Sequence, residues 1–266
     1  MGKKMKNAPV YFTVVQVRFN PVLNIESYLP AIQERMRGSH FPDFKQTTMQ
    51  QLIIQHGSVV EAGQPPKPSI ATSARCIFGS MDRNTEFVLE NNALALQTTA
   101  YETSDTFFRI LLDGLTIIHD VLHLEYTERI GLRYLDAVLP KVKESLSAYL
   151  TPGVLGLGPK LEGKLAHSYS ETITLIKNGG QLVSRVIIQD GRVGLPFEIA
   201  ATLAPNINPK FTASEDRHAI IDTDAFCEQR ETFELAKIGK KLAVLHTEIE
   251  NAFRATVTPF ALKAWA

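Results

Sequence analysis

The chain has little of several things that usually announce a function. Only two cysteines, Cys76 and Cys227, occur in 266 residues. That is too few for a disulfide scaffold or a cysteine metal framework, and it suits a reducing compartment. Charge of one sign is lacking as well, since 28 Lys plus Arg balance 28 Asp plus Glu. No whole-molecule field therefore draws the protein to nucleic acid or anionic lipid, which leaves only a local basic patch open. No apolar run approaches the roughly 20 residues of a membrane span. The opening MGKKMKNAPV has basic residues with no apolar stretch behind them, and no Ser or Thr completes a myristoylation site after Gly2. A cytoplasmic protein without membrane contact is the expectation. Gly-x-Ser-x-Gly is missing and neither cysteine has a histidine partner of motif character, so nucleophilic catalysis has no support.

What the chain does have is an ordinary globular composition, 44% hydrophobic and 21% charged, over a length that can bury a full core. It also repeats itself. Val14-Val15-Gln16-Val17-Arg18-Phe19 returns as Arg129-Ile130-Gly131-Leu132-Arg133-Tyr134. Both copies alternate apolar with other residues, place an Arg before an aromatic, and precede a helix-like segment. Strands are expected at 9–19, 47–55, 74–79, 85–89 and 93–99. Helices are expected from Ile25 to Gly38 and from Ser104 along the stripe Phe107, Leu111, Leu115, Ile118 and Leu122. Residues 57–73, with Pro65, Pro66 and Pro68, read as a long loop or flap.

The second half reads in the same order. Strand 129–135 is followed by a helix at 142–150, a Gly-rich loop at 151–165, and a hairpin of 168–176 with 181–188 across Asn178-Gly179-Gly180. Strands at 192–200 and 218–224 come next. A last helix carries Leu235, Ile238, Leu242, Leu245, Ile249 and Phe253. The fold class expected is α+β: duplicated β-α-β4-α units, residues 1–125 and 126–266, forming one curved antiparallel sheet backed by helices. Phe260 and Trp265 near the end pack either on another chain or on this one.

That element order resembles the TATA-binding-protein-like architecture in topology, without a sequence motif of those transcription factors. Ala8-Pro9-Val10, Gln16-Val17-Arg18-Phe19-Asn20-Pro21, the stretch Arg129–Tyr134 and Ile221-Asp222-Thr223-Asp224 resemble a sporadically distributed, functionally uncharacterised prokaryotic family of about this length. Leu135 departs from it, where a more polar residue is expected after the aromatic. The resemblance implies the fold more than an activity. Its patchy distribution suits genes of mobile or defence islands.

Candidate sites follow from strand parity. With Val15, Val17 and Phe19 turned to the helices, Gln16 and Arg18 face the other way, as does Arg133 in the second copy. Two such guanidiniums can clamp a carboxylate, a phosphate or a partner's acidic side chain. The structural alternative is a cross-strand pair with Glu86 or Glu90. Glu86, Glu90, Gln97, Ser170, Thr172 and Thr174 are expected on the same face, which would make it polar but not basic and free of an aromatic ladder.

Asp222 and Asp224 share one strand face with His218, a pair able to hold Mg²⁺ but more often found ending an edge strand. His119-Asp120-Val121-Leu122-His123 resembles a zinc-protease motif with Asp for Glu. It has no third ligand, since Glu125 is badly phased, and a helix border explains both histidines. Gly158–Leu165 matches part of a phosphate-binding loop, but Leu165 stands where Ser or Thr would bind Mg²⁺. Lys237, Lys240 and Lys241 read as a solvated helix face.

No cofactor is called for, and the balance lies against an enzyme. The expected function is a non-catalytic binding or regulatory protein, an accessory subunit holding a partner protein through Gln16, Arg18, Arg133, Asp222 and Asp224. Nucleic-acid binding on the curved sheet is the alternative, and a metal-dependent phosphohydrolase a second one.

Overall fold

A computed structural model describes residues 5–53, 69–176, 179–196, 199 and 205–266. Residues 57–68 of the expected flap, the end of the strand expected at 47–55 and Asn178 of the hairpin turn lie outside that set. The architecture is α+β, built on one curved, open antiparallel sheet of nine strands with helices against it. The strands are β1 (Val10–Phe19), β2 (Asp43–Ile53), β3 (Ser69–Gly79), β4 (Thr85–Glu90), β5 (Ala93–Thr98), β6 (Tyr126–Val138), β7 (His167–Ile176), β8 (Gly180–Gln189) and β9 (His218–Thr232). Their order across the sheet is β2-β3-β4-β5-β1-β6-β9-β8-β7.

The first half follows the expected β-α-β4-α order, with α1 (Leu29–Gly38) after β1 and α2 (Ser104–Leu122) after β5. Residues 69–73 belong to β3 rather than to a loop. Helix α2 is capped by Thr103, whose hydroxyl oxygen accepts from the Thr106 N–H at 3.3 Å, one residue ahead of the Ser104 expected to start it.

The second half departs from the expected pattern. Its early helix shrinks to one turn, α3 (Leu146–Tyr149), and no strand forms among the described residues of 192–200. Pro196 has no N–H to donate, and Val193, Leu195 and Ile199 instead fold across the sheet. A short turn, α4 (Pro209–Thr212), ends that crossing segment, and β9, α5 (Leu235–Thr256) and α6 (Pro259–Trp265) complete the chain.

Apolar parity sets the layers. Val15, Val17, Phe19, Ile130, Leu132 and Tyr134 meet Phe107, Leu111, Leu115 and Ile118 of α2 and Ile238, Leu242, Leu245 and Ile249 of α5 in the main core. A second cluster joins Leu146, Tyr149 and Trp265 to Val138, Val186 and Ile221, so Trp265 docks on its own chain while Phe260 stays 44% exposed. The third lies on the opposite sheet face, where Val193, Ile199 and Phe211 cover Tyr11, Phe12, Leu135 and Ile220. Tyr11 donates to the Gly194 carbonyl at 2.7 Å and fixes that cover. Among the described residues no helix is long and apolar enough to cross a membrane.

Gly114 marks the tightest helix–sheet approach, since a Cβ there would overlap the edge of the buried Phe87 ring. In an exposed helix Gly→Ala gains about 1 kcal/mol, whereas overpacking a core costs roughly 1–3 kcal/mol. Overpacking should win. Gly114→Ala is expected to lower the urea midpoint at unchanged slope, and a raised midpoint would show that the ring can step aside.

Candidate functional site

The part of the sheet left open by the crossing segment centres on the β1–β6 pair. There Val14 faces Arg133, Gln16 faces Gly131 and Arg18 faces Arg129. Neighbouring strands bring Ala95 and Gln97 from β5, Val88 and Glu90 from β4, Arg75 from β3 and Asp224 from β9 to one depression of about 250 Å³. Long-range register, not sequence proximity, assembles this group.

Arg133 is not free to serve as a clamp. Its Nε and Nη2 donate to Asp222 Oδ1 at 2.7 Å and Oδ2 at 2.6 Å. The Asp222 side chain is 1% exposed, and Arg185 Nη1 reaches the same Oδ2 at 3.4 Å. Arg185 also donates through Nε to Glu171 at 2.7 Å, where Tyr169 donates at 2.9 Å. The Arg185 guanidinium and the Tyr169 hydroxyl hold the Glu171 carboxyl below its ordinary range. A buried carboxylate is thus met by a bidentate fork and a second cation, the geometry that offsets its desolvation.

Asp224, two residues along the same face, lines the open depression. Burial pushes its carboxyl above the usual range, and the charges of Arg129 and Arg133 oppose that shift. Arg129 lies flat across the backbone of Gly131, where an added Cβ would meet Nη1 at 2.6 Å. Its guanidinium stacks 4.5 Å from the Phe226 ring centroid and reaches Glu228 at 3.5 Å. Farther along, Arg75 meets Glu90 at 2.5 Å, and Gln97 donates to Glu86 at 2.8 Å. The cross-strand pairing expected for Glu90 therefore occurs, with Arg75 in the place considered for Arg18 or Arg133.

Of the sequence candidates, Gln16, Arg133 and Asp224 line the depression, and Asp222 sits beneath it on Arg133. Arg18 is half-buried one pair away, opposite Arg129. Three expectations are corrected. Ser170, Thr172 and Thr174 are on the helix side, because Glu171 pairs with Arg185 on the open face and so carries Tyr169, Ile173 and Leu175 with it. The face is richer in arginine than expected, since Arg75, Arg129 and Arg185 join it. It also has exposed apolar side chains, Ile173 and Leu175, on edge strand β7.

His119 stacks on Phe233 with centroids 4.6 Å apart, and His123 is the left-handed C-cap of α2, so helix packing and capping account for both. Among the described residues no three His, Cys, Asp or Glu gather as a metal site. Gly158–Lys160 is a 3-10 turn in the 151–165 loop, whose Leu155 and Leu165 pack on the second core cluster. Burial raises both thiols, Cys76 and Cys227.

No protein-family model matches the chain, and no similar curated protein is found. The site is therefore argued from its own geometry.

Breaking a buried ion pair from one side costs about 3–5 kcal/mol, because the surviving charge is left unpaired. Asp222→Ala should lose stability in that range, while Arg133→Met/Asp222→Leu should lose clearly less. Arg18→Ala should stay within about 0.5 kcal/mol of wild type. Equal losses for the single and double variants in urea titrations would show that packing, not charge pairing, matters here.

Proposed function

We propose that this is a non-catalytic binding protein, an accessory or regulatory subunit that holds a partner protein on the open sheet face. One observation carries the reading. Exposed apolar side chains on edge strand β7, with Leu175 at 83% and Ile173 at 55%, lie on the same face as the half-buried carboxyl of Asp224 and the arginines beside it. Edge strands are usually blunted with charge or covered. An apolar edge beside paired charges has the make-up of an interface with a greasy centre and a polar rim. Gln16, Arg18, Arg129 and Asp224 supply that rim, whereas Arg133 and Asp222 form its rigid floor.

A duplicated frame is part of the proposal. Gln16 and Gly131 pair directly and are corresponding positions of the repeated stretches, as are Arg18 and Arg133. The strand order runs outward from β1–β6 as β5-β4-β3-β2 on one side and β9-β8-β7 on the other, so the second flank has one strand fewer while both run backward along the chain. Both facts support a pseudo-twofold axis through the Gln16–Gly131 pair, with residues 1–125 and 126–266 as its halves.

The other readings fare less well. Arg75, Arg129, Arg133 and Arg185 are each matched by a carboxylate, so phosphates would have to displace existing pairs. A Mg²⁺ at Asp222 would have to displace the Arg133 fork.

Native purification from cells carrying the neighbouring genes should yield a stoichiometric protein partner with a low A260/A280. Leu175→Lys/Arg18→Glu should lose that partner at unchanged melting temperature. Retention of the partner by this variant would sink the reading, and a high ratio removed by nuclease would put nucleic acid in its place.

A further inference from the structure

The other face of the sheet holds a second cavity, of about 190 Å³, where the start of α2, the middle of α5 and the approach to β1 meet over β6. At its base is Asp136, only 7% exposed. No hydrogen bond or ion pair from any described residue reaches its carboxyl, and burial alone pushes it up to about 7. Its oxygens are not among the fully buried atoms left without a hydrogen bond, so the carboxyl opens into the cavity itself, where an occupant can reach it.

The described carboxylates around it are already partly engaged, Glu102 among them, so Asp136 is the group the cavity leaves for an occupant. Glu102, Asp105 and Glu250 line the same cavity, and no Lys or Arg does so among the described residues. Arg254 binds Glu250 at 2.7 Å from outside. The walls are aromatic: Tyr134 donates to Tyr101 at 3.0 Å, their rings meet edge to face with centroids 5.1 Å apart, and His246 lies 5.9 Å from Tyr134. Burial lowers the His246 pKa, so that ring is neutral at neutral pH. The amide end of α2 is no open seat for an anion, because the Thr103 hydroxyl accepts one N–H and Asp105 lies in the first turn.

We propose that this cavity binds a compact organic ammonium ion, held by the Asp136 carboxylate against the Tyr101 and Tyr134 rings. Aromatic faces and a desolvated carboxylate both favour a cation. The volume is small beside the roughly 300–1,000 Å³ of drug-sized sites, so the occupant is a small amine. The site lies across the sheet from the partner surface and stands apart from that reading.

The sign of the pH dependence follows from the raised carboxyl. A folded-state value above the unfolded one means that ionisation of Asp136 costs stability progressively from about pH 4 up to about pH 7. A bound ammonium favours the ionised form, so its affinity should rise with pH through the same range. Protonation of His246 below neutral pH would repel the cation and act in the same direction.

Benzylammonium chloride is the probe, titrated calorimetrically into the full chain with benzyl alcohol as its uncharged counterpart. Saturable one-to-one binding is expected at pH 8, about tenfold weaker at pH 6 as the ionised fraction falls. Benzyl alcohol should not bind, and Asp136→Asn should weaken the amine at least tenfold. That variant should also be more stable than wild type, by a margin larger at pH 8 than at pH 5. No saturable binding at pH 8, equal binding of the alcohol, or undiminished binding by Asp136→Asn would each overturn the proposal. Should Asp136→Asn fail to fold, the wild-type comparison at the two pH values decides alone.

Discussion

The antiparallel pairing of β1 with β6 is the constraint on which the structure depends. It places Val15, Val17 and Phe19 beside Ile130, Leu132 and Tyr134 on one face, and these six give α2 and α5 a common floor. The same register brings Arg129 and Arg133 to the other face alongside Gln16 and Val14. A slip of one residue would turn every one of these side chains over. Both cavities inherit their positions from this seam, the open depression directly and the Asp136 cavity through the end of β6.

The two halves treat the far face differently. In the first half Val88, Glu90 and Arg75 line the depression, with Val88 itself buried. In the second, Val193, Ile199 and Phe211 lie across that face and bury Leu135 and Ile220. Only where that cover stops does the Arg133–Asp222 pair meet the open depression. One irregular segment thus makes the far face of the sheet uneven, and the charged floor sits at its margin.

Much of the frame was legible in the residues. The helix stripes on α2 and α5 and the strand parity of β1 and β6 have clear periods because one side of each is buried. Among the described residues of 192–200 the expected strand does not form, because short apolar runs look alike whether they pair in a sheet or pack on top of one. Parity on β7 failed for a related reason. That strand is half-buried at most along its length, so burial does not decide which side is which. The charge network was the least legible part. Arg133 reaches Asp222 across 89 residues and Arg185 reaches the same carboxylate across 37, both through strand registers that no local pattern marks. The carboxyl of Asp136 was missed for the opposite reason, since a lone Asp in a strand carries no motif at all.

The seam also governs how the chain reaches its native state. As it leaves the ribosome, the N-terminal portion can order β2 through β5 and lay β1 beside β5, but the other rim of β1 stays bare until β6 emerges. β6 in turn waits for β9 to close its outer side. Contacts between segments so distant in sequence form slowly, and an unpaired rim is open to wrong partners meanwhile. Residues 1–125 and 126–266 each leave one rim of the β1–β6 seam unpaired without the other. The central seam closes only after β6 and β9 have been made, so the sheet is completed late in synthesis.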